Sequence, residues 1–269
     1  FTSSHPENGL TTILATTDLS VDTERFAYVL TSKRGIVSFP VMETRTYYYP
    51  NGFEGEREGP VETESARFHE FPFGTRGVYV ADFNFDRVGA WSFEVSVPRA
   101  DGSTAVAEHR FQVSETASAP VVGQRAPLSE TKTLNDAELT GLSTGSQPDP
   151  DLYQTSVAEA IEEGRPFVVV FASPAFCTNA VCGPQVEVLS ELQVEYGDRL
   201  AFIHVDIFAD PAGIQGDIES AARSPALEEW GIPTDEWTFV VNSEGVVTAR
   251  FEGFSPSGEV EEAIRDMLG

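Results

Sequence analysis

The chain has 269 residues, is 41% hydrophobic and 11% aromatic, and carries 43 acidic against 17 basic side chains for a formal net charge of −26. That length accommodates one large or two ordinary domains, each with its own core. So acidic a surface repels phosphate backbones and anionic lipid and disfavours nucleic-acid and membrane-surface binding, and its plain explanation is a solvated exterior suited to a salty habitat.

Residues 8–114 read as all-β. The runs "TTILATTDLSV", "RFAYVLTS" and "TRTYYY" supply early strands. In "RGVYVADFNF" (76–85) Tyr79, Ala81, Phe83 and Phe85 fall on one face, and in "GAWSFEVSV" (89–97) Trp91, Phe93, Val95 and Val97 do the same. "DRVG" separates these two runs as a turn, and the Asp-Gly of "RADGST" precedes a further strand, "AVAEHRFQVS". About seven short strands in this space predict a β-sandwich. By pattern it resembles the immunoglobulin-like modules of bacterial envelope proteins. Residues 115–150 are rich in Pro, Ser, Thr and Gly without a period and predict a linker.

From 151 to 269 the texture changes. "SVAEAIEEG" (156–164) predicts a short helix ending at Gly164, and "RPFVVVFAS" a strand buried on both faces. Then come "AFCTNAVCGPQ", with the chain's two cysteines, and a helix through "QVEVLSELQVEYG". "LAFIHVDIF" predicts a second buried strand, residues 218–231 a partial helix, "WTFVVNSEGVVTARFEGF" a hairpin, and "SGEVEEAIRDML" a closing helix.

That order, with "VVVFASPAFC" at the end of a strand and "WGIPT" (230–234) ahead of a hairpin, resembles the thioredoxin-like superfamily, and more narrowly its bacterial cell-envelope members. The resemblance implies a two-domain chain, an N-terminal all-β immunoglobulin-like sandwich followed by an α/β thioredoxin-like fold. It also implies a working dithiol at Cys177 and Cys182, with a partner segment met by Phe176, Pro233, Glu236 and Trp237. Three features depart from the family pattern. The spacing is C-x4-C rather than C-x-x-C. Pro184 suits a first helical position, which places Cys182 at the helix N-terminus, whereas family habit makes Cys177 the nucleophile; both assignments stay open. Either Pro233 or Glu236 falls at the family's cis-proline place, and a carboxylate there would repel a thiolate.

No Gly-rich phosphate loop, paired metal-binding histidines or serine elbow is present, so no cofactor and no metal are expected. A copper chaperone on two cysteines and a histidine is a minority reading, because His204 lies inside a strand. A peroxidatic cysteine lacks its usual threonine in "ASPAF". A disulfide closing so small a loop removes modest entropy, which favours a redox over a purely structural role. The expected partners are protein thiols and disulfides, in an extracytoplasmic setting. The start at Phe1 is compatible with a signal or lipid anchor upstream, and no apolar run reaches the roughly 20 residues of a membrane span. The rival from another class is a non-catalytic binding or scaffold protein with a structural disulfide.

Overall fold

The structure, a computed structural model, describes residues 2–5, 9–71, 76–99, 101–176, 182–214 and 218–269. The chain divides into two compact units, Phe1–Ala117 and Ser118–Gly269.

The first unit is a single nine-stranded sheet. Its strands are β1 (Thr2–His5), β2 (Leu10–Leu14), β3 (Asp22–Ser32), β4 (Gly35–Ile36), β5 (Val41–Tyr49), β6 (Glu58–Glu70), β7 (Gly77–Phe85), β8 (Gly89–Pro98) and β9 (Thr104–Val113). The spatial order is β1-β2-β3-β7-β6-β5-β8-β9, with β4 paired to β3 off this path. Every pairing is antiparallel. The two ends of the sheet meet: β1 and β2 pack against β9. Thr12 Oγ1 donates to the Glu108 carbonyl at 3.2 Å, and His109 Nδ1 donates to the Thr12 carbonyl at 3.3 Å. The sheet is therefore nearly closed and barrel-like.

Aromatic side chains fill it. Phe26, Tyr28, Phe83, Phe85, Trp91 and Phe93 are all buried, and Phe26 meets Phe93 edge-on with centroids 5.0 Å apart. The alternation in β7 and β8 does place Tyr79, Phe83, Phe85, Trp91, Phe93 and Val95 inward, as the period of two requires. Yet β7 and β8 are not neighbours in the sheet. The three-residue connection between them, 86–88, is largely exposed, and Phe85 and Trp91 on either side of it meet ring to ring at 5.3 Å. β6 is a strand that hydrophobic pattern does not announce. Most of its residues are exposed, and it is held by its ladders to β5 and β7.

The second unit holds α1 (Leu139–Leu142), α2 (Val157–Glu162), β10 (Phe167–Phe171), α3 (Cys182–Tyr196), β11 (Ala201–Val205), α4 (Pro225–Glu229), β12 (Trp237–Val241), β13 (Val247–Glu252) and α5 (Ser257–Leu268). Its four strands lie in the order β11-β10-β12-β13, with β10 parallel to β11 and antiparallel to β12. β10, β11 and β12 are buried along their whole length. Ser156 caps α2 with a reciprocal box to Glu159, and Gly164 follows at φ 62°. The stretch from Ser118 to Pro150 belongs to this unit: Ala126 N donates to the Gly245 carbonyl at 2.9 Å, and Ala158 N to the Ser129 carbonyl at 2.9 Å. Backbone also passes close over Gly231, where a Cβ would stand 2.2 Å from the Ser118 carbonyl oxygen.

Two expectations are corrected. The first unit is not an immunoglobulin-like sandwich of two sheets but one curled antiparallel sheet. Inward–outward alternation reads alike in both, because it fixes faces and leaves pairing partners open. The thioredoxin-like α/β assignment is not upheld either. The chain is predominantly β, 38% strand and 20% helix, with a small mixed sheet and few helices beside the large one. Individual helices and strands of the second unit lie where periodicity predicts them, but α1, α2 and α4 span only four to six residues each. Short strings such as "WGIPT" do not establish a fold.

Candidate functional site

Cys182 is the first residue of α3, 0% exposed, and half of a disulfide. Cys177, the only other cysteine in the sequence, lies outside the described residues. The Cys182 Sγ sits 3.6 Å from the Asp235 carbonyl oxygen, which places the helix start beside the turn before β12. Helix α3 begins two residues before Pro184. The proline's missing N–H still falls in the first turn, where no carbonyl four residues back awaits it. One turn on, the buried Gln185 accepts a hydrogen bond from Ser255 N at 2.9 Å, tying α3 to the entry of α5.

The other residues expected at the site are held as follows. Phe176 is half-buried and packs edge-on against Phe208, centroids 5.9 Å apart, at the margin of the second unit's core. Pro233 is exposed in the turn before β12. Glu236 is buried, and its carbonyl accepts from Gly253 N at 3.0 Å. The peptide bonds before Pro233 and Glu236 are both trans. Trp237 is fully buried, stacked on Phe239 at 5.6 Å, with Nε1 donating to Thr234 Oγ1 at 2.9 Å. Thr234 in turn donates to the buried Glu252 at 2.9 Å. Tertiary structure also brings in cations that sequence proximity does not suggest. Arg223 pairs with the Asp235 carboxylate at 3.4 Å, and the Arg250 guanidinium lies 5.2 Å from the Trp237 ring centre.

A buried polar network anchors the chain just before the cysteine loop. His204 Nε2 faces the Ala172 carbonyl at 3.0 Å, and its Nδ1 faces the Tyr153 hydroxyl at 2.6 Å. A carbonyl only accepts, so Nε2 carries the proton. Burial pushes the imidazole below its ordinary value and keeps it neutral, so Nδ1 accepts from the Tyr153 hydroxyl. Burial likewise pushes the Tyr153 phenol up and preserves it as a donor. Both His204 nitrogens are thus engaged, which removes it as a metal ligand.

Alongside, Asp206 accepts from Thr144 N at 2.7 Å, Thr144 Oγ1 at 2.8 Å and Phe208 N at 3.1 Å. Thr144 gives its one hydroxyl proton to Asp206, and its oxygen faces Ser173 Oγ at 2.9 Å and Ala175 N at 3.3 Å. Residues 172, 173 and 175 are therefore pinned from three directions. A cavity of about 150 Å³ adjoins this network, with His204, Asp206, Lys132 and Glu229 among its lining. These partners lie tens of residues apart in the chain, and only the polar residues inside otherwise apolar strands hint at them. Among the described residues no cluster of three or more His, Cys, Asp or Glu side chains is arranged to hold a metal ion, and no helix is long and apolar enough to cross a membrane.

Comparison of the chain with protein-family models, with curated proteins and with solved structures finds no match.

Proposed function

We propose that the protein is an extracytoplasmic thiol–disulfide oxidoreductase acting on protein disulfides through Cys177 and Cys182. The observation that carries this reading is Cys182: disulfide-bonded, fully buried and seated in the first turn of the 15-residue α3. The leading N–H groups of a helix lack intrahelical acceptors and carry partial positive charge, which stabilises a thiolate there.

The burial of Cys182 keeps it from an incoming partner, so exchange with partners is assigned to Cys177. A partner's thiolate attacks Cys177 Sγ, the intramolecular S–S bond breaks, and Cys182 leaves as the thiolate at the helix end. A second partner thiol then displaces Cys177 from the mixed disulfide. The partner's two thiols become a disulfide and the protein's disulfide becomes a dithiol. In the opposite direction Cys177 attacks and Cys182 resolves. The Asp235 carbonyl accepts the S–H of reduced Cys182, and the net charge of −26 opposes thiolate formation, so the pair is a weak oxidant.

The rival reading is a binding protein whose disulfide only fastens α3. What favours it is the complete burial of both Cys182 and Trp237, which leaves neither for a partner to touch. Single cysteine variants separate the two. Cys182→Ser leaves Cys177 able to hold a partner as a mixed disulfide, whereas Cys177→Ser leaves only a buried thiol. Accumulation of mixed disulfides with a model disulfide-bearing peptide by the first variant alone supports exchange. Accumulation by neither supports the fastener.

A further inference from the structure

We propose that the open end of the first unit's sheet binds a small amphiphilic anion, a carboxylate or similar head carried on an apolar chain. This site is independent of the cysteines.

A concavity of about 650 Å³ opens there, between the β3–β4 turn and the β8–β9 turn. Small-molecule sites occupy about 300–1,000 Å³ and favour the mouths of β-barrels. Its floor is apolar and continuous with the aromatic core: Leu10, Val97 and Ala105 are buried members of that core. Val37 packs on the same core from the wall, and Phe39 stands 43% exposed beside it. An exposed phenylalanine over an apolar floor is a surface from which water is readily displaced.

The rim has the opposite sign to the rest of the chain. Lys33, Arg34 and Arg99 line it against one carboxylate, Asp101. Asp101 is already engaged by Ser103, whose N and Oγ donate to it at 2.9 and 2.7 Å. The chain as a whole has 43 acidic against 17 basic residues and only two lysines, so three cations around one pocket are a local reversal. Lys33 is steered there by Gly9, which takes φ +65° and has no side chain; a Cβ at that place would lie 3.4 Å from Lys33 Cε, so the lysine stem runs across the glycine. An apolar floor under a cationic rim selects a ligand that is apolar at one end and anionic at the other. A cation is repelled at the rim, and a neutral chain gains only the floor.

The test titrates the full chain with decanoate, decanol and decyltrimethylammonium by calorimetry, and maps decanoate-induced NMR shifts. Decanoate is expected to bind saturably at one site and to shift residues around Lys33, Phe39 and Val97. Decanol is expected to bind about tenfold more weakly, and the double charge reversal Lys33→Glu/Arg34→Glu to weaken decanoate by about tenfold or more with an unchanged far-UV spectrum. Decanol binding as tightly as decanoate, shifts that map elsewhere, or no saturable heat with decanoate overturns the proposal. So does a folded charge-reversed variant that binds decanoate as the wild type does.

Discussion

Each unit buries a histidine, and the two are employed differently. His109 in the first unit and His204 in the second are both 2% exposed, and burial holds both below their ordinary value. His109 donates to the Thr12 carbonyl where β2 and β9 meet, so it seals a seam beside a core of aromatic and aliphatic side chains. His204 donates to the Ala172 carbonyl and accepts from Tyr153, so it fixes the end of a strand that leads into the cysteine loop. One unit uses its polar core group to close a container. The other uses its polar core groups to position a short segment beside a disulfide. Burial alone does not mark a functional histidine; what it tethers does.

The sharpest way to break this contrast is a core truncation. Phe93→Ala in the first unit is expected to cost about 3–5 kcal/mol, read by chemical denaturation, while the potential of the cysteine pair stays unchanged. A shifted potential would show that the first unit shapes the disulfide. His204→Phe is expected to cost about 2–4 kcal/mol, because the Ala172 carbonyl and the Tyr153 hydroxyl lose their partner in a buried place. It should also raise the reduction potential by about 30 mV, since a loosened loop presents its cysteines less favourably for closure. An unmoved potential would make His204 a core residue and nothing more.

Reducing the disulfide, or replacing Cys182 by Ser, is expected to cost about 2 kcal/mol for so small a loop. Lowering the pH titrates both histidines. Their folded-state values lie below the unfolded one, so the unfolded chain takes up protons that the folded chain refuses. Stability from this source is complete above about pH 6.5 and declines as pH falls below it, by up to about 1.4 kcal/mol per pH unit for each histidine. Denaturation of His109→Gln and His204→Gln between pH 7 and 5 should show each variant losing one such slope. The smallest effect belongs to Arg223→Ala. Its exposed pair with Asp235 is worth within about 0.5 kcal/mol, and removing a cation near the Cys182 end should lower the potential by no more than about 10 mV.

The β7 and β8 aromatics show how much of the fold is legible in the sequence. Their alternation identifies the strands and the faces that reach the core. It does not say that β7 pairs with β3 and β6 while β8 pairs with β5 and β9, because a period of two carries no partner identity. β6 escapes for the opposite reason, being a strand by pairing whose residues mostly face solvent. In the second unit the cysteines, the helix following them and the turn before β12 are legible. The Tyr153–His204 and Thr144–Asp206 tethers are not, since 51 and 62 residues separate their members. The resemblance to thioredoxin-like proteins rested on the order of elements in the second half and on strings of five to ten residues, and a chain that is mostly β does not uphold it.

The central claim is that the Cys177–Cys182 disulfide is exchanged and is not a fastener. Its reduction potential tests this most directly, by equilibrating the full chain in graded thiol buffers, alkylating and counting modified cysteines by mass. An exchanging pair is expected above about −270 mV, among working oxidoreductases. A value below about −300 mV, in the range of structural disulfides, would contradict it.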